Sequence, residues 1–244
     1  MIALLRAEFR KLFTARSTYV IIFIALAIDV LIAGYAKGYK LAGPQLTDSF
    51  ALQDSMLTST MITAIFSALI ALLLITHEYR YNTILYSLTS SNSRTKFLVA
   101  KFLAVTIFSL VLSTVIVALA PLLSTIGVAI AGNSLAPQSI YLADSLWRIL
   151  FYSWGYSIIA LLIGFLIRNQ IGAIMTLFLF PSTIESLLTL LLKDNVSYLP
   201  FSALGSVMTQ SDVLSYGKAA LVFSIYLVVG WLIAWILFLK RDSN

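Results

Sequence analysis

The 244-residue chain has no cysteine and one histidine. The first absence excludes disulfides, thiolate catalysis and cysteine-built metal sites. The second leaves a zinc site without ligands. His77-Glu78 opens like the metalloprotease pattern H-E-x-x-H, but Tyr81 stands where the second histidine belongs. No G-x-x-x-x-G-K-[ST] string occurs, so there is no P-loop phosphate cradle, and no G-x-S-x-G nucleophile elbow either. Nothing here reads as an enzyme. Charge is also scarce: 11% of residues carry it, against roughly 25% in soluble domains.

What fills the chain is apolar, 60% of it. A soluble fold of this composition would expose large apolar patches, which soluble monomers avoid. Six apolar stretches emerge, at about 19–36, 56–76, 102–123, 146–167, 171–192 and 219–239. Each is long enough for a helix to cross a bilayer core of about 30 Å. Only helices and closed barrels satisfy the backbone in lipid, and barrel strands are about 10 residues long with alternating polarity. These runs do not alternate. The expectation is an all-α polytopic membrane protein with six spans, forming one domain over 1–244; no repeat of 20–50 residues is visible.

The formal net charge of +6 needs no nucleic acid partner, because basic residues hold loops on the cytoplasmic side. Arg6, Arg10, Lys11, Arg16, Arg80, Arg94, Lys96, Lys101, Arg168, Lys240 and Arg241 fall on one side of the six-span arrangement; Lys37, Lys40, Arg148, Lys193 and Lys218 fall on the other. Both termini are therefore predicted to be cytoplasmic, in the cell membrane. The first apolar run is preceded by about 18 residues and exceeds a signal peptide's apolar core, so it is expected to be a retained span.

Within residues 1–18, Ile2, Leu5, Phe9 and Leu12 recur at helical spacing with Arg6, Arg10 and Lys11 elsewhere around the turn. That pattern predicts an interfacial amphipathic helix. The third run continues to residue 131, and Pro121 is expected to kink or end its spanning part. Pro181 predicts a kink in the fifth. Residues 193–218 read as a short helix or re-entrant piece on the outer face, anchored by Leu199, Phe201, Leu204, Val207 and Met208. Gly34-x-x-x-Gly38 matches a helix-packing motif at a span end.

Two acids fall within spans, Asp29 and Glu185. An ionisable group in hydrocarbon costs several kcal/mol unless it meets a cavity, a partner or a proton. Either acid fits a substrate or gating position, or a bond to a neighbouring span. A proton relay needs a chain of such groups, which argues against an ion-coupled transporter.

Between the second and third runs lies a polar island, 77–101: "HEYRYNTILYSLTSSNSRTKFLVAK". A plain helix–helix connection needs only a few residues. This one has room for a short helix across the cytoplasmic face, then a turn at Ser90-Ser91-Asn92-Ser93, and suits docking to a soluble partner.

Here the chain resembles the permease subunits of type-2 ATP-binding-cassette (ABC) transporters, of the bacterial drug or bacteriocin exporter and immunity kind. Their Glu-x-Arg-x-(Gly or Asn)-Thr string after the second span is matched by Glu78, Arg80, Asn82 and Thr83, followed by Ser93-Arg94 and Lys101. Glu8, Lys11 and Arg16 match the family's amino-terminal Glu-x-x-Lys-x-x-x-x-Arg, and "YLPFSAL" at 198–204 is similar to the segment before its last span. Asn82 replaces the commoner glycine; asparagine accepts positive φ better than most residues. The resemblance implies a permease without its own motor. It would pair with a second permease chain, identical or not, and with separate ATPase subunits that hold the ATP and magnesium; this chain carries no cofactor. The interfacial helix (Glu8, Lys11, Arg16) and the island (Glu78, Arg80, Asn82, Thr83, Arg94, Lys101) would couple to those subunits. The substrate would be amphipathic: a peptide antibiotic, a lipid-like molecule or a drug. The rival readings are an ATP-independent transporter or channel, an intramembrane enzyme and a non-transporting scaffold.

Overall fold

A computed structural model describes residues 1–40, 48–91, 93–209, 211 and 213–240; Asn92, Asp212 and Arg241 lie outside the described residues. All regular structure among the described residues is helical. Among the described residues, six helical segments are long and apolar enough to cross a membrane. Helix α1 (Ile2–Thr14) comes first. Span 1 is α2 (Arg16–Asp29) continued by a π-helical stretch, Val30–Lys40. Span 2 is α3 (Ala51–Arg80). A short helix, α4 (Ile84–Ser91), leads to span 3, α5 (Arg94–Ile130). Span 4 is α6 (Leu142–Ile167). Span 5 comprises α7 (Gln170–Leu179), a π turn at Phe180–Glu185 and α8 (Ser186–Leu192). A 3₁₀ turn (Lys193–Tyr198) and α9 (Pro200–Met208) precede span 6, α10 (Tyr216–Lys240).

The short helix expected within 77–101 is present as α4, and the flanking spans reach further into the island than expected. Helix α3 runs on through Glu78 to Arg80, and α5 already begins at Arg94. Intrahelical hydrogen bonding does not stop where hydrophobicity does. What stops α3 is a left-handed residue: Asn82 has φ +53°. Its N–H donates to the Tyr79 carbonyl (3.3 Å) and the Thr83 N–H to the Glu78 carbonyl (3.0 Å). These two bonds are those of a Schellman cap, whose usual glycine asparagine can replace. Ser93 then caps α5, its hydroxyl accepting from the Lys96 N–H at 3.4 Å.

Pro121 does not end the third run; α5 continues through it to Ile130. Proline removes one backbone donor, a loss that packed transmembrane helices tolerate. The neighbouring turns are seated against span 1, with the Ser124 hydroxyl donating to the Ala33 carbonyl at 2.9 Å. At Pro181 the helix widens into the π turn.

Without a hydrophobic force between helices in lipid, small residues set how close backbones come. Gly34 and Gly38 of span 1 face Gly127 of α5, and a Cβ on Gly127 would run into the Gly34 carbonyl oxygen. Buried hydroxyls pair across the centre: Ser55 with Ser124 at 2.6 Å, and Ser67 with Ser157 at 2.8 Å. Spans 2 and 4 hold the middle of the bundle. Helix α1 and the end of α10 lie at the same end of it, since α1 packs on α5 and the carbonyls of Phe238 and Leu239 accept from Arg94. Helix α9 sits at the opposite end, with Phe201, Leu204, Val207 and Met208 buried.

Candidate functional site

Four charges from three helices converge at the end of the bundle that α1 occupies. Glu8 and Lys11 lie one turn apart on α1. Glu78 lies in the last turn of α3 and Lys101 in the second turn of α5. The Lys101 Nζ donates to Glu8 Oε2 at 2.7 Å, to Glu78 Oε1 at 2.7 Å and to the Leu74 carbonyl at 3.1 Å. The Lys11 Nζ donates to Glu8 Oε1 at 2.7 Å, to Glu78 Oε1 at 2.7 Å and to the Ser87 hydroxyl at 3.1 Å. Two acids and two lysines thus close a ring, and each ammonium uses all three of its N–H groups.

The ring is internal. The Lys101 side chain is 0% exposed, those of Glu8 and Glu78 are 5% exposed, and only that of Lys11 reaches solvent, at 38%. The Phe97 ring lies 4.9 Å from the Lys101 ammonium. Burying charge is costly unless it is paired and hydrogen-bonded, and net neutrality with full donor use is what makes this cluster tolerable. Burial by itself pushes the Glu8 carboxyl up; the ammoniums of Lys101 and Lys11 outweigh it and hold the group below the usual carboxylate range. Burial likewise pushes Lys11 down, and Glu78 and Glu8 outweigh it and hold Lys11 above its usual value. One oxygen stands apart: Glu78 Oε2 is buried and accepts no hydrogen bond.

The sequence reading placed Glu8, Glu78 and Lys101 on a surface facing a soluble partner. The structure turns all three inward, toward one another. On α1, Leu12 and Glu8 are buried and Phe9 packs against the core, whereas Ile2 is 78% exposed.

The other candidates separate. Arg16 is exposed at the start of α2, away from the ring. Arg80 is exposed; it donates to Gln170 Oε1 at 3.0 Å and stands 5.5 Å from the Tyr81 ring. Asn82 and Thr83 build the cap. Arg94 donates to the carbonyls of Phe238 and Leu239, both at 3.0 Å, and closes the end of α10.

Residues that the sequence reading passed over complete the arrangement. Ser87 ties α4 to the ring through Lys11. Ile84, 2% exposed, roots α4 in the core, while Tyr81, Leu85 and Tyr86 are turned outward, Tyr86 being 79% exposed. Large aromatic side chains on a short polar connection were the available signal, since tyrosine and arginine are favoured at protein contacts.

Asp29 and Glu185 part company. Glu185 accepts from the backbone N–H of Phe201 (2.8 Å) and Ser202 (2.8 Å) and from the Ser202 hydroxyl (2.6 Å). It therefore caps the N-terminus of α9. Arg148 serves the other end of that helix, its guanidinium donating to the carbonyls of Val207 and Met208. An acid at the N-terminus and a cation at the C-terminus both oppose the helix dipole. Asp29 is fully buried where α2 turns into the π stretch. Ser59 faces it, yet neither carboxyl oxygen makes a hydrogen bond of good geometry.

A model of the family described as ABC-2 family transporter protein matches residues 4–184, a stretch that holds the whole ring and the first four spans. No curated protein matches the chain.

Proposed function

The chain belongs to the ABC-2 transporter family, and from that premise we propose that the ring of Glu8, Lys11, Glu78 and Lys101 transmits the work of separate ATPase subunits to the spans. As a member, the chain is the membrane permease component of an ABC transporter and not its ATPase. The reading beyond that is of an exporter of amphipathic substrates, such as a peptide antibiotic, a lipid-like molecule or a drug. It works as a pair of permease chains, sits in the cell membrane with both termini cytoplasmic, and uses ATP and magnesium bound by the partners.

The observation that carries this is the ring's connectivity. A soluble partner resting on Tyr81, Leu85 and Tyr86 would press on α4. Displacement of α4 reaches Lys11 through Ser87, and Lys11 is bonded to α1 and α3, which Lys101 joins to α5. A buried ring of charges cannot lose one member cheaply, so its helices move together or the ring rearranges as a unit. Arg80 and Arg94 flank this path, the first at the exposed end of α3 and the second holding α10 to α5.

Purification from native membranes tests the reading. A P-loop ATPase is expected to co-purify; its absence overturns the proposal. In the reconstituted complex, Tyr86→Ala is expected to weaken ATPase assembly. Glu78→Ala is expected to leave assembly largely intact while ATP-driven transport falls sharply. Normal transport by Glu78→Ala would remove the ring from the coupling path.

A further inference from the structure

A second feature lies on the flank of the bundle, where α5 faces α6 and α10. Spans 3, 4 and 6 leave a groove of about 490 Å³ between them. Its walls are Leu98 and Phe102 of α5, Trp154 and Ile158 of α6, and Val228 and Trp231 of α10, and no charged side chain lines it. At one end of the groove α5 and α10 are held together by several contacts. There Arg94 holds the carbonyls of Phe238 and Leu239, Phe97 stacks on Phe238 with centroids 5.7 Å apart, and the Trp235 indole N–H donates to the Thr95 hydroxyl at 3.3 Å. Phe102, packed edge-on against Trp231 (5.0 Å) and Trp154 (6.5 Å), fills the floor.

We propose that this groove is a binding site for one acyl chain of an anionic phospholipid, whose phosphate lies against Lys96 and Lys240. The groove falls in the range of small-molecule sites, about 300–1,000 Å³, and it opens sideways where a membrane-embedded helix meets hydrocarbon. Its pinned end is also its cationic end: Thr95, at the mouth, lies between Arg94 and Lys96, and Lys240 closes α10. Lys96 and Lys240 are both exposed. The choice of occupant follows from the energetics. A lipid tail gains little by leaving other tails for an apolar groove, because lipid is as apolar as leucine. Selective retention must therefore come from the headgroup, and lysines near a membrane surface favour anionic lipid by about fivefold each, the equivalent of about 1 kcal/mol. Two lysines give a preference of roughly 30-fold over a zwitterionic headgroup with the same tails. This proposal does not depend on the coupling role of the ring.

The tryptophans provide the readout. Three of the chain's four line the groove, and Trp147→Phe removes the fourth as background. The intact permease is placed in phosphatidylcholine nanodiscs with a small fraction of either brominated phosphatidylglycerol or brominated phosphatidylcholine, and tryptophan quenching is measured. The expected result is half-maximal quenching at a mole fraction at least tenfold lower for the glycerol lipid. Lys96→Gln with Lys240→Gln is expected to bring the two lipids to parity. Val228→Phe, which fills the groove, is expected to abolish the selective component while the melting temperature is kept. Equal quenching by both lipids in the parent protein overturns the proposal. So does selectivity that survives the paired lysine change, or protection from both lipids because a second permease copy or a substrate covers the groove.

Discussion

Replacing Lys101 by methionine isolates what the ring contributes. The lysine is fully buried, and its three bonds, at 2.7, 2.7 and 3.1 Å, join α5 to both α1 and α3. Methionine fills a similar volume without the charge. Glu8 and Glu78 are then left to share Lys11, and a buried negative charge is uncompensated. Breaking one partner of a buried ion pair costs about 3–5 kcal/mol. Removing an acid together with the lysine restores neutrality, because Lys11 and Glu78 remain a bonded pair. Exchanging a buried pair for apolar groups of similar volume is often neutral, so Glu8→Leu with Lys101→Met is expected to lie within about 2 kcal/mol of the parent. The double variant should thus be more stable than Lys101→Met alone, a non-additivity typical of one network. Thermal unfolding in lipid nanodiscs measures stability; ATP-driven transport in the reconstituted complex measures coupling. Transport should fail in both variants, since both sever α5 from α1. The reasoning is refuted if Lys101→Met melts with the parent, or if the double variant loses the sum of the two single losses.

Three further outcomes are expected. The ring's contribution should be level near neutrality and shrink toward both extremes of pH. Glu8 is held below its usual 4.5, so its contribution is complete above that value and vanishes as pH falls through the depressed one; Lys11 is held above its usual 10.5, so its contribution is complete below that value and is lost as pH rises through the raised one. The difference in melting temperature between the parent and Glu8→Leu/Lys11→Met, followed across pH, checks this. Gly127→Ala drives a methyl into the Gly34 carbonyl and should destabilise by about 1–3 kcal/mol, whereas Gly217→Ala, with open space around it, should melt like the parent. Glu185→Leu strands the two N–H groups and the hydroxyl at the start of α9, at about 1–3 kcal/mol; limited proteolysis should then cut near residues 193–200, and an uncut segment would deny the capping role.

The spans were legible because hydrocarbon allows few solutions: a long apolar run in a cysteine-poor, charge-poor chain has to be a helix. The cap at Asn82 was foreseeable in kind, since few residues accept positive φ. Pro121 does not end the helix, because a local rule, the lost N–H, is overridden where the following turn is seated against span 1. The limits of 77–101 misled because hydropathy marks where a helix leaves the membrane, not where its hydrogen bonds stop.

For the ring, Glu8, Lys11, Glu78 and Lys101 were all identifiable as unusual charges in an apolar chain, and their motif likeness pointed to coupling. Their mutual contact was not identifiable. Glu8 and Lys11 are neighbours at helical spacing, but positions 78 and 101 carry no periodic relation to them or to each other, and a charge beside an apolar run reads as surface by default. Glu185 and Asp29 show the same limit from the other side: two intramembrane acids of similar outlook, one bonded to a helix N-terminus and one without a bond. Composition and periodicity determined that this chain carries six runs long and apolar enough to cross a membrane, with most of its basic residues toward one end of them, because solvent preference acts on each residue separately. Which charges face each other, which cap a helix and which stay alone was decided by tertiary packing, because electrostatic pairing depends on distances between segments far apart in the chain.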